Sequence, residues 1–317
     1  MKNYFNFQLT GKKLFPIWVL FLILFFVPYI GLLVSIKSVE SGGKPSLIFL
    51  PAMFLLIIVA LALTFFLAKY FIEGVAYKEQ TIKFSGTFGK YLGTMLLGFF
   101  LSIITLGIYG AWFMRDLHRF FVNHSSYQSN SFRFQGKGSQ LFVIILLTLM
   151  LPTIAISVFV ATMMLKSPGN AASVVIIQQL ITLVIMVPYT YLVYKWMVNV
   201  DYKGMKIAWQ TDFWNACGNI ALEIVLTMIT FGIYMPLAMV RLYKYFSDRT
   251  VASSSERILR FGYDADQLND FLYLWGQILL TIVTLGIYYP WAICNIGSRM
   301  LGRTWLLEEV SPATATA

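Results

Sequence analysis

Glu223 is the only carboxylate well inside an apolar segment of the chain. Ten residues after Phe213, it lies about 15 Å along that segment if the segment is helical. An acid at such depth in lipid is costly and points to a polar-solute or proton-linked site. It can equally stay protonated, bonded to Asn219 or to a neighbouring helix, and serve packing alone. Two other positions belong with it. TLGIY occurs at Thr105–Tyr109 and Thr284–Tyr288, and TFGIY at Thr230–Tyr234. Those spacings make Gly98 and Gln277 the equivalents of Glu223. Gly98, Glu223 and Gln277 converge on one polar pocket if the repeated units pack about a shared axis, with Gln178, Gln179, Asn215 and Asn219 available to line it.

A second constellation follows each pentapeptide. Trp112, Arg115 and Arg119 follow the first copy, Arg241 and Lys244 the second, and Trp291 the third. An indole with cations at helical spacing anchors a helix at headgroup level; recognition of an anionic lipid or solute is the functional alternative. His118 and His124 stand beside the first cluster without further ligands at metal-binding spacing, so no metal site is expected. No P-loop, GxSxG, HExxH or paired-carboxylate pattern is present. The expectation is a protein that is not an enzyme and has no cofactor.

The elements that must position these residues are set by composition. Of 317 residues, 58% are apolar and 12% charged, and the mean hydropathy is +0.72. A soluble domain could not keep a polar exterior at that ratio, so lipid is the solvent for most of the chain. The net charge of +10 then belongs to loops and headgroups rather than to nucleic acid. Cys217 and Cys294 lie in apolar segments and form no disulfide framework.

Seven apolar segments are long enough to cross: Leu14–Ile36, Leu47–Ala68, Tyr91–Met114, Leu141–Leu165, Val174–Val198, Asn215–Val240 and Phe271–Ile296. Five are preceded by a short alternating element ending in a turn, beginning at Phe5, Ile82, Phe132, Ile207 and Leu259. The pattern predicts a tandem duplication with membrane repeats at 1–128 and 129–257, a half repeat at 258–306 and a disordered tail at 307–317. Gly107, Gly232 and Gly286 sit deep in apolar sequence, with Pro236 and Pro290 four residues after the latter two. Either these segments break sharply and re-enter on one side, or they are continuous helices kinked at Gly-Pro. If all seven cross, Lys and Arg divide 13 against 11 between the sides; if the pentapeptide segments return, they divide 21 against 3. The second count favours the re-entrant reading.

The stretch from FSGTFGKYLG to MRDLHRFF, with SFRFQGKGSQLF, TFGIYMPLAMVRLYKYF and TLGIYYPWAICNIGSR, resembles the YjgN-like family of bacterial inner-membrane proteins. Trp112 and Trp291 match the family's tryptophan, where Leu237 departs; Arg241 and Lys244 match its basic positions, as does Arg119. Arg115 is shifted by one residue, and Asn295 and Ser298 depart. The resemblance implies the bacterial inner membrane and an unknown biochemical role. The fold expected is all-α and polytopic, with a tandem repeat, broken or re-entrant TLGIY helices and short cytoplasmic strands. The function expected is a conduit or carrier for a small solute, ion or lipid, with N- and C-termini cytoplasmic. The alternative is a non-catalytic scaffold or partner subunit whose basic face binds lipid or protein. The lipid bilayer, anionic lipids included, is the expected partner, and no nucleic acid is.

Overall fold

The computed structural model describes residues 1–41, 49–166, 171–254 and 257–310. Among the described residues, four helices are long and apolar enough to cross a membrane. They are α1 (Gly11–Glu40), α2 (Phe49–Gly74), the continuous pair α5 (Gly138–Ile145) and α6 (Leu151–Lys166) joined by one π turn, and α7 (Ala171–Met197). Leu47, given to the second segment by sequence, lies outside the described residues. The other three segments are not continuous. Each divides into two short helices: α3 (Phe88–Ile104) with α4 (Gly110–Asn123), α8 (Phe213–Ile229) with α9 (Met235–Ser247), and α10 (Gln267–Val283) with α11 (Tyr289–Gly302). Contacts between Glu223 and Arg241, and between Asp270 and Arg299, show that the second helix of a pair runs back along the first.

The pentapeptide explains the reversal. Leu106, Phe231 and Leu285 take φ of +50°, +50° and +51°, and the glycines after them +89°, +85° and +87°. The amides of Gly107, Gly232 and Gly286 bond to Ser102, Thr227 and Thr281 carbonyls at 2.7–2.8 Å, the long bond of a Schellman ending. The threonine then joins the two helices. Thr230 Oγ1 donates to the Leu226 carbonyl and accepts from the Tyr234 amide at 3.1 Å, and Thr105 and Thr284 do the same. Pro236 and Pro290 do not break anything. They sit in the first turn of the returning helix, where a missing N–H costs nothing. Thr230→Val keeps the shape and strands the Tyr234 amide. We expect it to lower stability by about 1–3 kcal/mol, measured as thermal unfolding in nanodiscs; an unchanged midpoint would discount the threonine bridge.

The chain is mostly helical as expected, but the all-α class is corrected, because the short strands join into a large antiparallel β-structure on which the helix pairs are strung. The strands are β1 (Lys2–Phe7), β2 (Val75–Tyr77), β3 (Gln80–Thr81), β4 (Lys83–Phe84), β5 (Ser125–Tyr127), β6 (Asn130–Ser131), β7 (Arg133–Phe134), β8 (Val200–Tyr202), β9 (Met205–Trp209), β10 (Thr250–Ser253), β11 (Arg257–Tyr263) and β12 (Thr304–Val310). Nine form one antiparallel sheet in the order β3-β2-β1-β12-β11-β10-β9-β8-β7, and β4-β5-β6 form a second. The two sheets are one ring. β3 runs through Ile82 into β4, and β6 through Phe132 into β7, so each of these strands bonds one neighbour with its first half and another with its second. Ile82 N donates to Val75 and Ser85 N to His124; Phe132 N donates to Ser125 and Gln135 N to Asn199.

Each helix pair therefore begins and ends on the same barrel, and successive pairs are joined by hairpins. Three of these turn through residues of positive φ: Lys78-Glu79, Gln128-Ser129 and Lys203-Gly204. The expected disordered tail is corrected in part. Residues 307–310 belong to β12, because β11 supplies a pairing partner for each of them, from Arg260 opposite Leu307 to Arg257 opposite Val310; residues 311–317 lie outside the described residues. The joint between β1 and β12 is clamped by Asp264, which accepts from Lys2 and Trp305 at 2.9 Å and from Tyr4 at 2.7 Å. Partial desolvation acts against its charge, but those three donors outweigh it and hold the carboxyl below its usual range. Where helices meet strands, the seams fill with aromatic clusters such as Phe65, Phe84, Tyr91 and Phe120.

Candidate functional site

Gly98, Glu223 and Gln277 do not meet in one pocket. Each lies in its own hairpin, where the same three positions recur as a node: a residue of the first helix, the pentapeptide tyrosine, and the residue eighteen after the first, all three polar in α8–α9 and α10–α11. In α8–α9 the node is Glu223, Tyr234 and Arg241. Arg241 Nη1 donates to the Tyr234 hydroxyl at 2.7 Å and stands 3.8 Å from Glu223 Oε1, while its Nη2 reaches Gln267 at 3.2 Å. Glu223 is buried, and its Oε2 has no hydrogen-bond partner. In α10–α11 the node is neutral: Tyr288 and Asn295 donate to Gln277 Oε1 at 3.2 and 3.0 Å.

The α3–α4 node explains the shifted arginine. With Gly98 in place of an acid or amide, the space opposite is taken by Phe113, whose ring lies 2.0 Å from where a Cβ on Gly98 would stand. The third position is Asp116, which accepts from Tyr109 at 3.3 Å and takes its counter-charge from the adjacent residue, Arg115, at 2.6 Å. A cavity of about 350 Å³ beside this node reaches Asp116, Arg119 and His124. Asn219 is outside the α8–α9 node; its side chain donates to the Asn215 carbonyl on its own helix.

The anchor residues divide differently from the expectation. Trp112 packs on Gly138 and Phe142, and Trp291 on Gly11 and Phe15, so each indole seals one helix pair to the next. They work as joints because the partner position is glycine at a helix start. Arg115 and Arg241 are committed to the nodes. Lys244 bonds Asp248 at 2.6 Å and the Tyr263 carbonyl at 3.2 Å, which leaves exposed Arg119 closest to the anticipated role. His118 and His124 face the carbonyls of Met197 and Phe120.

Sequence reasoning missed Asp270. It is fully buried and accepts from Arg299 Nε at 2.8 Å, Arg303 Nη1 at 3.0 Å, the Tyr263 hydroxyl at 2.9 Å and the Asp266 amide at 3.0 Å. Burial first, and the bond to Asp270 second, hold the Tyr263 hydroxyl protonated far above its ordinary range. The available signal was Arg299 and Arg303 at i, i+4, which the eroded third basic cluster hid. Asp270 is saturated with donors, whereas Glu223 is not. The chemistry open to Glu223 is therefore exchange: its carboxylate can yield Arg241 to another anion or accept a further donor at Oε2.

Residues 79–256 match the profile of a bacterial protein family of unknown function, DUF898. The chain is also similar to the inner membrane protein YjgN of Salmonella typhimurium, 32% identical over 79 residues that cover 25% of this chain. The match spans 20% of the length of that curated relative. No solved structure matches the chain.

Proposed function

The chain belongs to the DUF898 family, and from that premise we propose that this membrane protein is a multi-pass conduit or carrier of the bacterial inner membrane for a small solute, ion or lipid. Four helices span the bilayer in this reading, and the three pentapeptide hairpins enter from the barrel side and return. Their length supports it: 17 residues in α3, α8 and α10 reach about 25 Å, short of a ~30 Å hydrocarbon layer. Their tips support it too. Leu106, Phe231 and Leu285 are 94%, 96% and 92% exposed, and bulky residues held at positive φ are strained by about 1–2 kcal/mol each. An apolar tip of that kind is at home in acyl chains and not in water. The barrel then faces the cytoplasm with 21 of the 24 Lys and Arg.

The observation that carries the transport reading is Glu223. It lies in mid-hairpin with Oε2 unpartnered and Oε1 in a loose 3.8 Å pair. Burying a charge that incompletely satisfied is costly, and a site under pressure for stability alone would close as Asp270 has. The test is flux across vesicles reconstituted with the wild type and with Glu223→Gln, using protons, potassium and a headgroup-labelled phospholipid as solutes. We expect at least a tenfold loss of one flux in Glu223→Gln with unchanged thermal unfolding. No flux of any kind in the wild type, with a partner recovered through the basic face, would replace this reading with the scaffold.

A further inference from the structure

The barrel has an interior that the transport reading does not use. Every strand of the ring contributes to a cavity of about 270 Å³ whose walls are wholly apolar, with Phe5, Tyr77, Phe132, Ile207, Phe261 and Leu306 among its lining. Its two ends differ. At the hairpin end, away from the helices, tyrosines close it: the Tyr202 hydroxyl donates to the Tyr127 carbonyl at 2.8 Å, and the Tyr127 hydroxyl to the Tyr77 carbonyl at 2.9 Å. The rings of Tyr202 and Phe132 stack with centroids 4.8 Å apart, and those of Tyr77 and Phe5 lie 4.9 Å apart. At the helix end it abuts a second space of about 440 Å³, with Val75, Ile82, Phe132 and Ile207 lining both. That space extends to Ile72 of α2, Phe121 and Val122 of α4, and Val198 after α7.

We propose that the barrel lumen binds one acyl chain of a fatty acid or lipid, threaded from the membrane side with its polar end left among the helix termini. Three features select this occupant. A polar ligand would lose its hydrogen bonds without replacement in an apolar enclosure. An apolar cavity of about 150 Å³ already stays dry and takes a benzene-sized guest, so the larger lumen suits a flexible chain. The adjoining space lies toward the helix ends, where acyl chains are the abundant apolar solute, and the hydrogen-bonded tyrosines stand toward the aqueous end. Ser125 and His118, in the wider space, stand where the carboxylate or headgroup would remain.

The proposal is independent of Glu223 and is tested without flux. Nanodiscs holding the full chain are irradiated with palmitic acid that carries a diazirine midway along its chain, and the labelled residues are located by mass spectrometry. We expect labels on Phe132, Met205 and Ile207 that excess unlabelled palmitate removes, together with labels on lipid-facing α1 that it does not. Ala252 also lines the lumen, so Ala252→Phe should cut the lumen labels at least fivefold and spare those on α1; Ile207→Phe serves as the second filling variant if the first does not fold. Label on α1 with none in the lumen would overturn the proposal. So would lumen label that palmitate does not compete, or that persists in a folded filling variant.

Discussion

Asp270→Asn is expected to lower the stability of the folded chain by about 3 kcal/mol, the lower edge of what breaking a buried ion pair costs. The carboxylate is 0% exposed and receives four donors. Asparagine supplies one acceptor oxygen and turns an amide toward a site where, of the four partners, only the Tyr263 hydroxyl can accept. Arg299 and Arg303 are 24% and 32% exposed, so water recovers part of their hydration and keeps the loss from the upper end. The network ties the start of α10 to the end of α11 and both to β11, so the damage should concentrate there. Denaturant titration in mild detergent, with hydrogen exchange to locate the weakened segment, measures both quantities. A loss under about 0.5 kcal/mol, the range of an ordinary surface change, would show that the network is not structural. Glu223→Gln is the matched contrast: the residue is buried but loosely held, and its neutral isostere should leave stability nearly unchanged.

Gly11→Val should open the seam between α1 and α11, at a cost of about 1–3 kcal/mol for forced overpacking. A Cβ on Gly11 would stand 2.5 Å from the Trp291 ring and 2.8 Å from its Cα. The ring can rotate away, but the backbone atom cannot, so α1 must move as a body. The seam also holds the bond from Trp18 Nε1 to the Gly286 carbonyl at 3.0 Å and the contact of Trp18 with Tyr289 at 4.5 Å. Those would go with it. At the equivalent joint the three atoms nearest to a Cβ on Gly138 all belong to the Trp112 side chain, the closest at 2.5 Å, so Gly138→Val should be milder. Thermal unfolding of the two variants side by side decides the matter; equal midpoints would mean that the seams relax alike and the backbone contact is unimportant.

Much of the helical part was legible because apolar runs and repeated pentapeptides are strong, local signals. The charge count even favoured the reversal at Gly107, Gly232 and Gly286. The barrel was half legible. The alternating elements at Phe5, Ile82, Phe132, Ile207 and Leu259 are its strands, each leading into a helix. Their partners VAY, SSY and VDY are three residues long, too short for alternation to show. The turns between them use Lys-Glu, Gln-Ser and Lys-Gly at positive φ, which hides the glycine signature of tight hairpins. The repeat offset made Gly98, Glu223 and Gln277 equivalent positions, but an offset gives equivalence and not proximity. Whether three equivalent residues meet depends on the radius at which their hairpins stand, and pairing on a wide barrel holds them apart. The tryptophans misled for a related reason. An indole before a basic residue suits an interface, and only the packing shows that glycine on the next hairpin receives it.

The ring closes between β1 and β12, with Tyr4 opposite Trp305. A ribosome adding about 5–20 residues per second therefore needs on the order of tens of seconds between making the first strand of that pair and making the last. Through that interval β1 has at most β2 beside it, and a free strand edge invites pairing with other chains. Lys2, Asn3 and Asn6 on that strand make it a poor template for such pairing, and its own partner arrives last. Assembly of the barrel is thus timed by synthesis: helix pairs can settle into the bilayer one after another, while the lumen becomes an enclosed compartment only when the final strand emerges.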